Sequence, residues 1–291
     1  MHTIEFQHIT KKYSGGVTAL EDVTFSVGTG VFGLLGHNGA GKTTLMKALA
    51  ILCPPTRGTI RVCGFDTAAQ GDEVRRRIGY LPQELAMYPS LSVLEFVTYM
   101  ARIKGIREER AVEHALAQVE MLEFSSRKIG RLSGGMKRRV GIAQAIVGNP
   151  PILVVDEPTA GLDPEERVRF RSVLSRYAGE GRTVLFSTHI VEDVHQICRE
   201  LAVLRRGHLF FAGTAEDLLR QAAGRVKVLH LKDDRELVRL QKRTVVLSAT
   251  YESQGIRARI MDDQQLFPQV SPVEATLEDA YVFCMGGKLH E

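Results

Sequence analysis

The chain has 291 residues, 44% hydrophobic and 25% charged, the balance of an ordinary globular protein with length for one large domain or a large and a small one. A net charge of +4 is too mild for a dedicated nucleic-acid binder, so no nucleic-acid partner is expected. The basic runs Arg75-Arg76-Arg77 and Lys137-Arg138-Arg139 read as solvated faces. Cys53, Cys63, Cys198 and Cys284 form no CxxC pair, which excludes the usual zinc and redox motifs; they read as reduced, mostly buried thiols. The first ten residues lack a basic region followed by an apolar one, so no signal peptide is expected, and no apolar run approaches bilayer length.

In chain order, Ile4, Phe6 and His8 alternate as one strand face, and apolar runs at 23–27 and 31–35 read as further strands. Residues 42–52 read as a helix, and 59–62 and 78–81 as short strands between Gly and Pro punctuation. Val93, Leu94, Phe96, Val97, Met100 and Ile103 repeat at helical spacing. Further helices are expected at 107–122 and 134–147. Residues 152–155 and 183–187 are apolar without alternation, as in a parallel sheet covered on both faces, with a helix at 164–178 between them. Strand and helix in alternation predict an α/β sheet with its site at the carboxyl ends of the strands. Beyond about residue 214 the pattern changes. Strands at 226–231, 244–249 and 256–261 and a last helix at 277–284 predict a small α+β domain.

Gly36-His37-Asn38-Gly39-Ala40-Gly41-Lys42-Thr43 fits G-x-x-x-x-G-K-[ST], and it follows a strand and opens a helix. The glycines allow backbone angles at which successive N–H groups point at a phosphate, and the helix adds its positive end. Lys42 supplies charge for the β- and γ-phosphates, the Thr43 hydroxyl suits magnesium, and Thr44 is expected among the nucleotide-binding residues. The strand at 152–155 ends in Asp156-Glu157. Asp156 is expected to hold magnesium through water, and Glu157 to act as general base on the attacking water. The pair of carboxylates points to hydrolysis, not binding alone.

With these motifs on the page, Leu132-Ser133-Gly134-Gly135-Met136 makes the chain resemble the nucleotide-binding subunit of ABC transporters. A Ser and two Gly opening a helix form a second anion site. The family's usual Gln at the fifth position is Met136 here. The resemblance covers about residues 1–215 and implies a P-loop NTPase sheet core with an inserted helical subdomain at about 85–147, plus a small C-terminal accessory domain at 216–291. It implies ATP and Mg2+ as ligands. Tyr13 resembles the aromatic that stacks on adenine. Gln83 resembles the loop glutamine that contacts magnesium or water, His189 the switch histidine near the γ-phosphate, and Asp163 the loop that crosses a dimer interface.

The resemblance also implies partners. Two cassettes, identical or homologous, would meet head to tail, each ATP lying between one phosphate loop and the Ser133 and Gly135 of the other copy. An integral membrane permease would dock on the helical subdomain, with this chain peripheral on the cytoplasmic face of the cell membrane. The tail Thr276-Leu277-Glu278-Asp279-Ala280-Tyr281-Val282 is similar to extensions of single-cassette exporters, which favours export over import. Rival readings are a soluble ABC ATPase of translation or DNA repair and a non-hydrolysing regulator. The first usually carries two cassettes, a coiled coil or zinc-binding cysteines. The second conflicts with an intact set of Lys42, Thr43, Asp156, Glu157 and His189.

Overall fold

The structure, a computed structural model, describes residues 3–159 and 161–285. Ala160, three positions before Asp163 in the sequence, lies outside the described residues, as do the chain's first two and last six positions. The chain divides between Ala212 and Gly213 into two compact units.

In the first unit, β1 (Ile4–Lys12) and β2 (Thr18–Val27) lead to β3 (Gly30–Leu35), the phosphate-loop segment and α1 (Lys42–Leu49). Next come β4 (Arg57–Val62), β5 (Phe65–Asp66), α2 (Gly71–Arg77) and β6 (Ile78–Leu81). The helical region holds α3 (Val93–Ile103), α4 (Glu109–Gln118) and α5 (Gly134–Ile146). Then follow β7 (Ile152–Val155), α6 (Pro164–Ala178), β8 (Thr183–Thr188), α7 (Val191–Ile197), β9 (Glu200–Arg205) and β10 (His208–Thr214).

Two sheets result. The smaller has the order β2-β1-β4-β5 and is antiparallel. The larger has six strands in the order β10-β9-β3-β8-β7-β6, and the pairs from β9 to β6 are all parallel. Parallel pairing puts the carboxyl ends of β3, β6, β7 and β8 at one edge. The phosphate loop, Gln83, Asp156-Glu157 and His189 leave from those four ends, so topology alone gathers them. Every residue of β7 and β8 is buried, as expected for strands covered on both faces.

The core between the sheets holds Phe6 stacked on Phe25 at 4.6 Å and Phe25 on Phe32 at 5.7 Å, with Leu45, Met46 and Leu49 of α1 packed alongside. The alternation in β1 breaks at His8. Its φ of 54° is left-handed, the register shifts between Phe6 and Ile9, and His8 faces solvent while Ile9 takes the buried place. The expected face of Ile4, Phe6 and His8 is therefore corrected to Ile4, Phe6 and Ile9.

α3 begins in a capping box between Ser92 and Glu95, which satisfies two amides that the helix start leaves without partners. It buries Val93, Phe96, Val97 and Ala101 and exposes Leu94, Tyr99 and Ile103. α4 is shorter than the expected 107–122, because the chain after Gln118 tightens into a 3-10 turn at Leu122–Phe124. Arg75, Arg76 and Arg77 pair with Asp72 and Glu73 on the outside of α2. Arg139 is not solvated, contrary to expectation. It is buried and faces Glu166 of α6 at 3.4 Å.

The second unit contains α8 (Ala215–Ala222), β11 (Val226–Leu231), α9 (Asp234–Gln241), β12 (Val245–Glu252), β13 (Gly255–Met261) and α10 (Leu277–Cys284). Its antiparallel sheet runs β11-β13-β12. Leu240 of α9 packs on Ala258 and Ile260 of β13. Beside this small core lies a buried ion pair, Lys227 Nζ to Asp262 Oδ2 at 2.8 Å. Of the cysteines only Cys198 is buried. Cys63 is exposed, and Cys53 and Cys284 are half-buried. The expectation of mostly buried thiols therefore holds for Cys198 alone of the four; Cys53 and Cys63 lie in turns outside the helices and strands.

Candidate functional site

The phosphate loop runs from Gly36 to the first turn of α1. Gly41 has a φ of 104°, and a Cβ there would sit 2.6 Å from the Ala19 carbonyl oxygen. A Cβ on Gly36 would meet the Leu204 carbonyl oxygen at 2.5 Å. Any side chain at either position would therefore push the loop off its neighbouring strands. Asn38, Gly39, Ala40, Gly41, Lys42, Thr43 and Thr44 line a cavity of about 290 Å³, together with Val17, Thr18, Ala19, Gln83 and Glu157. The volume lies at the lower end of the range for small-molecule sites.

Lys42 is buried. Its ammonium donates to the Gly36 carbonyl at 2.7 Å and the His37 carbonyl at 3.0 Å, and it lies 2.9 Å from Glu157 Oε1. Glu157 collects three side chains. Besides Lys42, Gln83 Nε2 donates to its Oε2 at 3.3 Å, and His189 Nδ1 is 3.7 Å from the same oxygen. Glu157 has a φ of 43°, an uncommon angle for a residue with a side chain. Its own amide is held by Ser187 Oγ at 2.9 Å.

Asp156 is wholly buried. Its Oδ1 accepts from Ser187 Oγ at 2.6 Å and from Thr43 Oγ1 at 3.3 Å. Its Oδ2 is buried with no hydrogen-bond partner among the described residues. Burial pushes the Asp156 carboxyl above the usual carboxylate range. The Glu157 charge adds to that, against the hydrogen bonds from Ser187 and Thr43. A buried, unpaired carboxylate oxygen beside a threonine hydroxyl is costly unless something positive meets it. All the donors here are oxygens, the set a hard divalent cation such as Mg2+ takes. The residues present fit that ion.

The structure brings together Lys42, Thr43, Gln83, Asp156, Glu157 and His189. Tyr13, just past β1, is 41% exposed, and its hydroxyl is 3.4 Å from Thr44 Oγ1, at the edge of the same region. Ser133 and Gly135 are not among the residues lining the cavity. They open α5, where Ser133 Oγ accepts from the Met136 amide at 3.2 Å. Asp163 caps α6 by accepting from the Glu166 amide at 2.9 Å.

Sequence reasoning missed Ser187, which binds both Asp156 and the Glu157 amide. Its place on a strand beside β7 could have suggested it. Arg138 was also missed. Its guanidinium donates to the Gln83 carbonyl at 2.6 Å, and nothing in the local pattern separates it from a solvated arginine.

Fold and site together define a P-loop nucleotide hydrolase whose carboxylate pair stands over the phosphate loop. The model of the family described as ABC transporter matches residues 20–160. The Nod factor export ATP-binding protein I of Burkholderia thailandensis is 39% identical over 229 residues, covering 76% of this chain and 74% of that protein. The protein of the same name from Paraburkholderia xenovorans is 33% identical over 308 residues, covering 99% of this chain and 98% of its own. A dimeric ATP-binding cassette solved in a post-hydrolysis state with ADP and Pi superimposes with a TM-score of 0.66 at 27% identity, over 72% of this chain and 98% of that one. The chain belongs to the ABC transporter family, as an ATP-binding subunit with ATPase activity.

Proposed function

We propose that this chain powers export of a substrate through a separate membrane-spanning partner, by ATP-driven closing of two cassettes and their release on hydrolysis. The observation that carries the hydrolytic part is the convergence of Lys42, Gln83 and His189 on Glu157 beside the Asp156–Thr43 pair. Export is supported by relatives named for it that match this chain over most or all of their length.

In this reading residues 1–215 are the nucleotide-binding domain, with a helical subdomain at about 85–147, and 216–291 are an accessory domain. The amides of Gly36, His37, Asn38, Gly39, Ala40 and Gly41 cradle the phosphates. Lys42 exchanges Glu157 for the β- and γ-phosphates of ATP, and Tyr13 stacks on adenine. Thr43, Asp156 and Gln83 hold Mg2+, which when bound neutralises phosphate charge as it develops. Freed from Lys42, Glu157 orients the attacking water and accepts its proton. His189, 3.7 Å from Glu157, serves as the switch histidine toward the γ-phosphate.

Ser133 and Gly135, which do not line this cavity, serve the nucleotide of a second copy or a homologous cassette. Such a site forms only in the dimer, so ATP binds the closed state better than ADP, and that difference can do work. Among the described residues no helix is long and apolar enough to cross a membrane. In this reading a separate permease supplies the transmembrane path, and this chain works on its cytoplasmic face, as its membership of the family implies. Tyr88, Leu94, Tyr99 and Ile103 are exposed apolar residues on the helical region and suit that docking.

The test is capture of tagged Glu157→Gln protein from its native membranes in mild detergent with ATP and magnesium. Stoichiometric recovery of a polytopic membrane protein is the expected result. Recovery of ribosomes or DNA without a membrane protein would replace the transporter reading with a soluble ABC ATPase.

A further inference from the structure

Glu157 is held in its left-handed backbone conformation from both sides, and both holds come from the segment that carries His189. Before His189, Ser187 Oγ accepts from the Glu157 amide at 2.9 Å. After it, Asp193 of α7 reaches back. Asp193 is wholly buried, and its Oδ2 accepts from Thr159 Oγ1 at 2.6 Å, two residues beyond Glu157. The other oxygen, Oδ1, lies 3.0 Å from Arg171 Nη1 on α6, the helix that Asp163 caps.

One carboxylate therefore joins the chain leaving Glu157, the helix after Asp163 and the helix after His189. A strained backbone angle persists only where its surroundings over-determine it. A buried carboxylate stays charged at low cost only while its partners remain. Asp193, Thr159 and Arg171 do not line the cavity.

We infer that Asp193, through Thr159 and with Arg171 as its counter-charge, is a positioning residue that keeps Glu157 in register with His189. The inference rests on the reading of Glu157 as general base. If it holds, loosening the Thr159 contact displaces the base without touching the nucleotide. The loss then appears in kcat and not in KM, since displacements of about 1 Å at a reacting group cost up to about a hundredfold.

The experiment compares ATP turnover of full-length Thr159→Val, Thr159→Ser and Asp193→Asn with the wild type, alone and in a Glu157→Gln background. Thr159→Val is expected to lower kcat about tenfold and to change KM for ATP less than about threefold, while the protein stays folded in the assay with a lower urea midpoint, because Asp193 Oδ2 loses its donor. Thr159→Ser restores kcat, because the hydroxyl returns. Asp193→Asn gives the same pattern. Should it not fold, the Thr159 pair decides alone. On the residual activity of Glu157→Gln, Thr159→Val has no further effect.

A Thr159→Val kcat within about twofold of wild type, with Glu157→Gln inactive, overturns the inference and leaves the base reading standing. A full additional loss in the Glu157→Gln background overturns it too. Normal turnover of Glu157→Gln itself removes the base reading, and the positioning role falls with it.

Discussion

The Lys42 ammonium lies 2.9 Å from Glu157 Oε1, with both side chains almost wholly buried. The residue expected to bind phosphate and the residue expected to activate water thus neutralise each other across the loop. An incoming γ-phosphate would compete with Glu157 for Lys42, so binding the nucleotide would release the base. Buried opposite charges are weakly stabilising as a pair, but either one alone is strongly destabilising.

Lys42→Met should cost about 3 kcal/mol of stability, because Glu157 is left buried with, among the described side chains, the Gln83 amide and His189 beside it. ATP affinity should fall with it. Urea unfolding of the nucleotide-free variant measures the first effect. A midpoint equal to wild type would show that Glu157 finds another partner or water.

Glu157→Gln should keep ATP binding and lose turnover by about a hundredfold or more, the usual scale for removing a general base. Equilibrium binding of nucleotide and steady-state phosphate release check the two halves separately. Near-normal phosphate release takes Glu157 out of that role.

Asp156 offers a pH test. Its folded-state pKa is raised above the ordinary aspartate value of 3.8, chiefly by burial. The folded state therefore binds its proton more tightly than the unfolded state does. The stability this group contributes is present below about pH 3.8 and is lost as pH rises through the raised value. Metal-free Asp156→Asn, which cannot ionise, should gain stability relative to wild type as pH rises over that range, while losing magnesium-dependent hydrolysis. Paired urea titrations from pH 4 upward supply the measurement. A relative stability that is flat, or falls with pH, contradicts the assignment.

Lys227→Met in the second unit should cost about 3 kcal/mol near neutral pH, since Asp262 stays buried and charged. Burial pushes the Asp262 carboxyl up. Lys227 and the Phe267 and Leu266 amides outweigh it, and the net shift is downward. A depressed carboxylate contributes stability above the ordinary value of 3.8 and loses it as pH falls through the depressed one. The variant's penalty should therefore shrink in acid. Lys227→Met/Asp262→Leu would recover only part of the loss, because those two amides would lose their acceptor. Thermal melts of the three proteins at pH 7 and pH 3 test this.

Most of the site was legible because its chemistry is written in short spans. The loop Gly36 to Thr43 and the pair Asp156-Glu157 are each a run of consecutive residues, and apolar strands without alternation announce a covered parallel sheet. The failures have equally physical causes. His8 left its expected face because one left-handed residue inserts a bulge, and periodicity does not register a single backbone angle. Arg139 was read with Lys137 and Arg138 as a solvated run, yet it faces Glu166 from another helix. Local sequence does not contain that neighbour.

By itself the sequence determined the class of chemistry: a glycine-rich loop between strand and helix, a lysine and threonine at a helix start, and two carboxylates at a strand end. These follow from bond geometry and charge over a few residues. Only the tertiary structure decided which distant groups share one buried volume. It brought Ser187 between Asp156 and the Glu157 amide, left Asp156 Oδ2 without a donor among the described residues, and closed Asp193 on Thr159 and Arg171. Those contacts join residues far apart in sequence. Parallel strand order and burial create them together, and no stretch of local sequence encodes them.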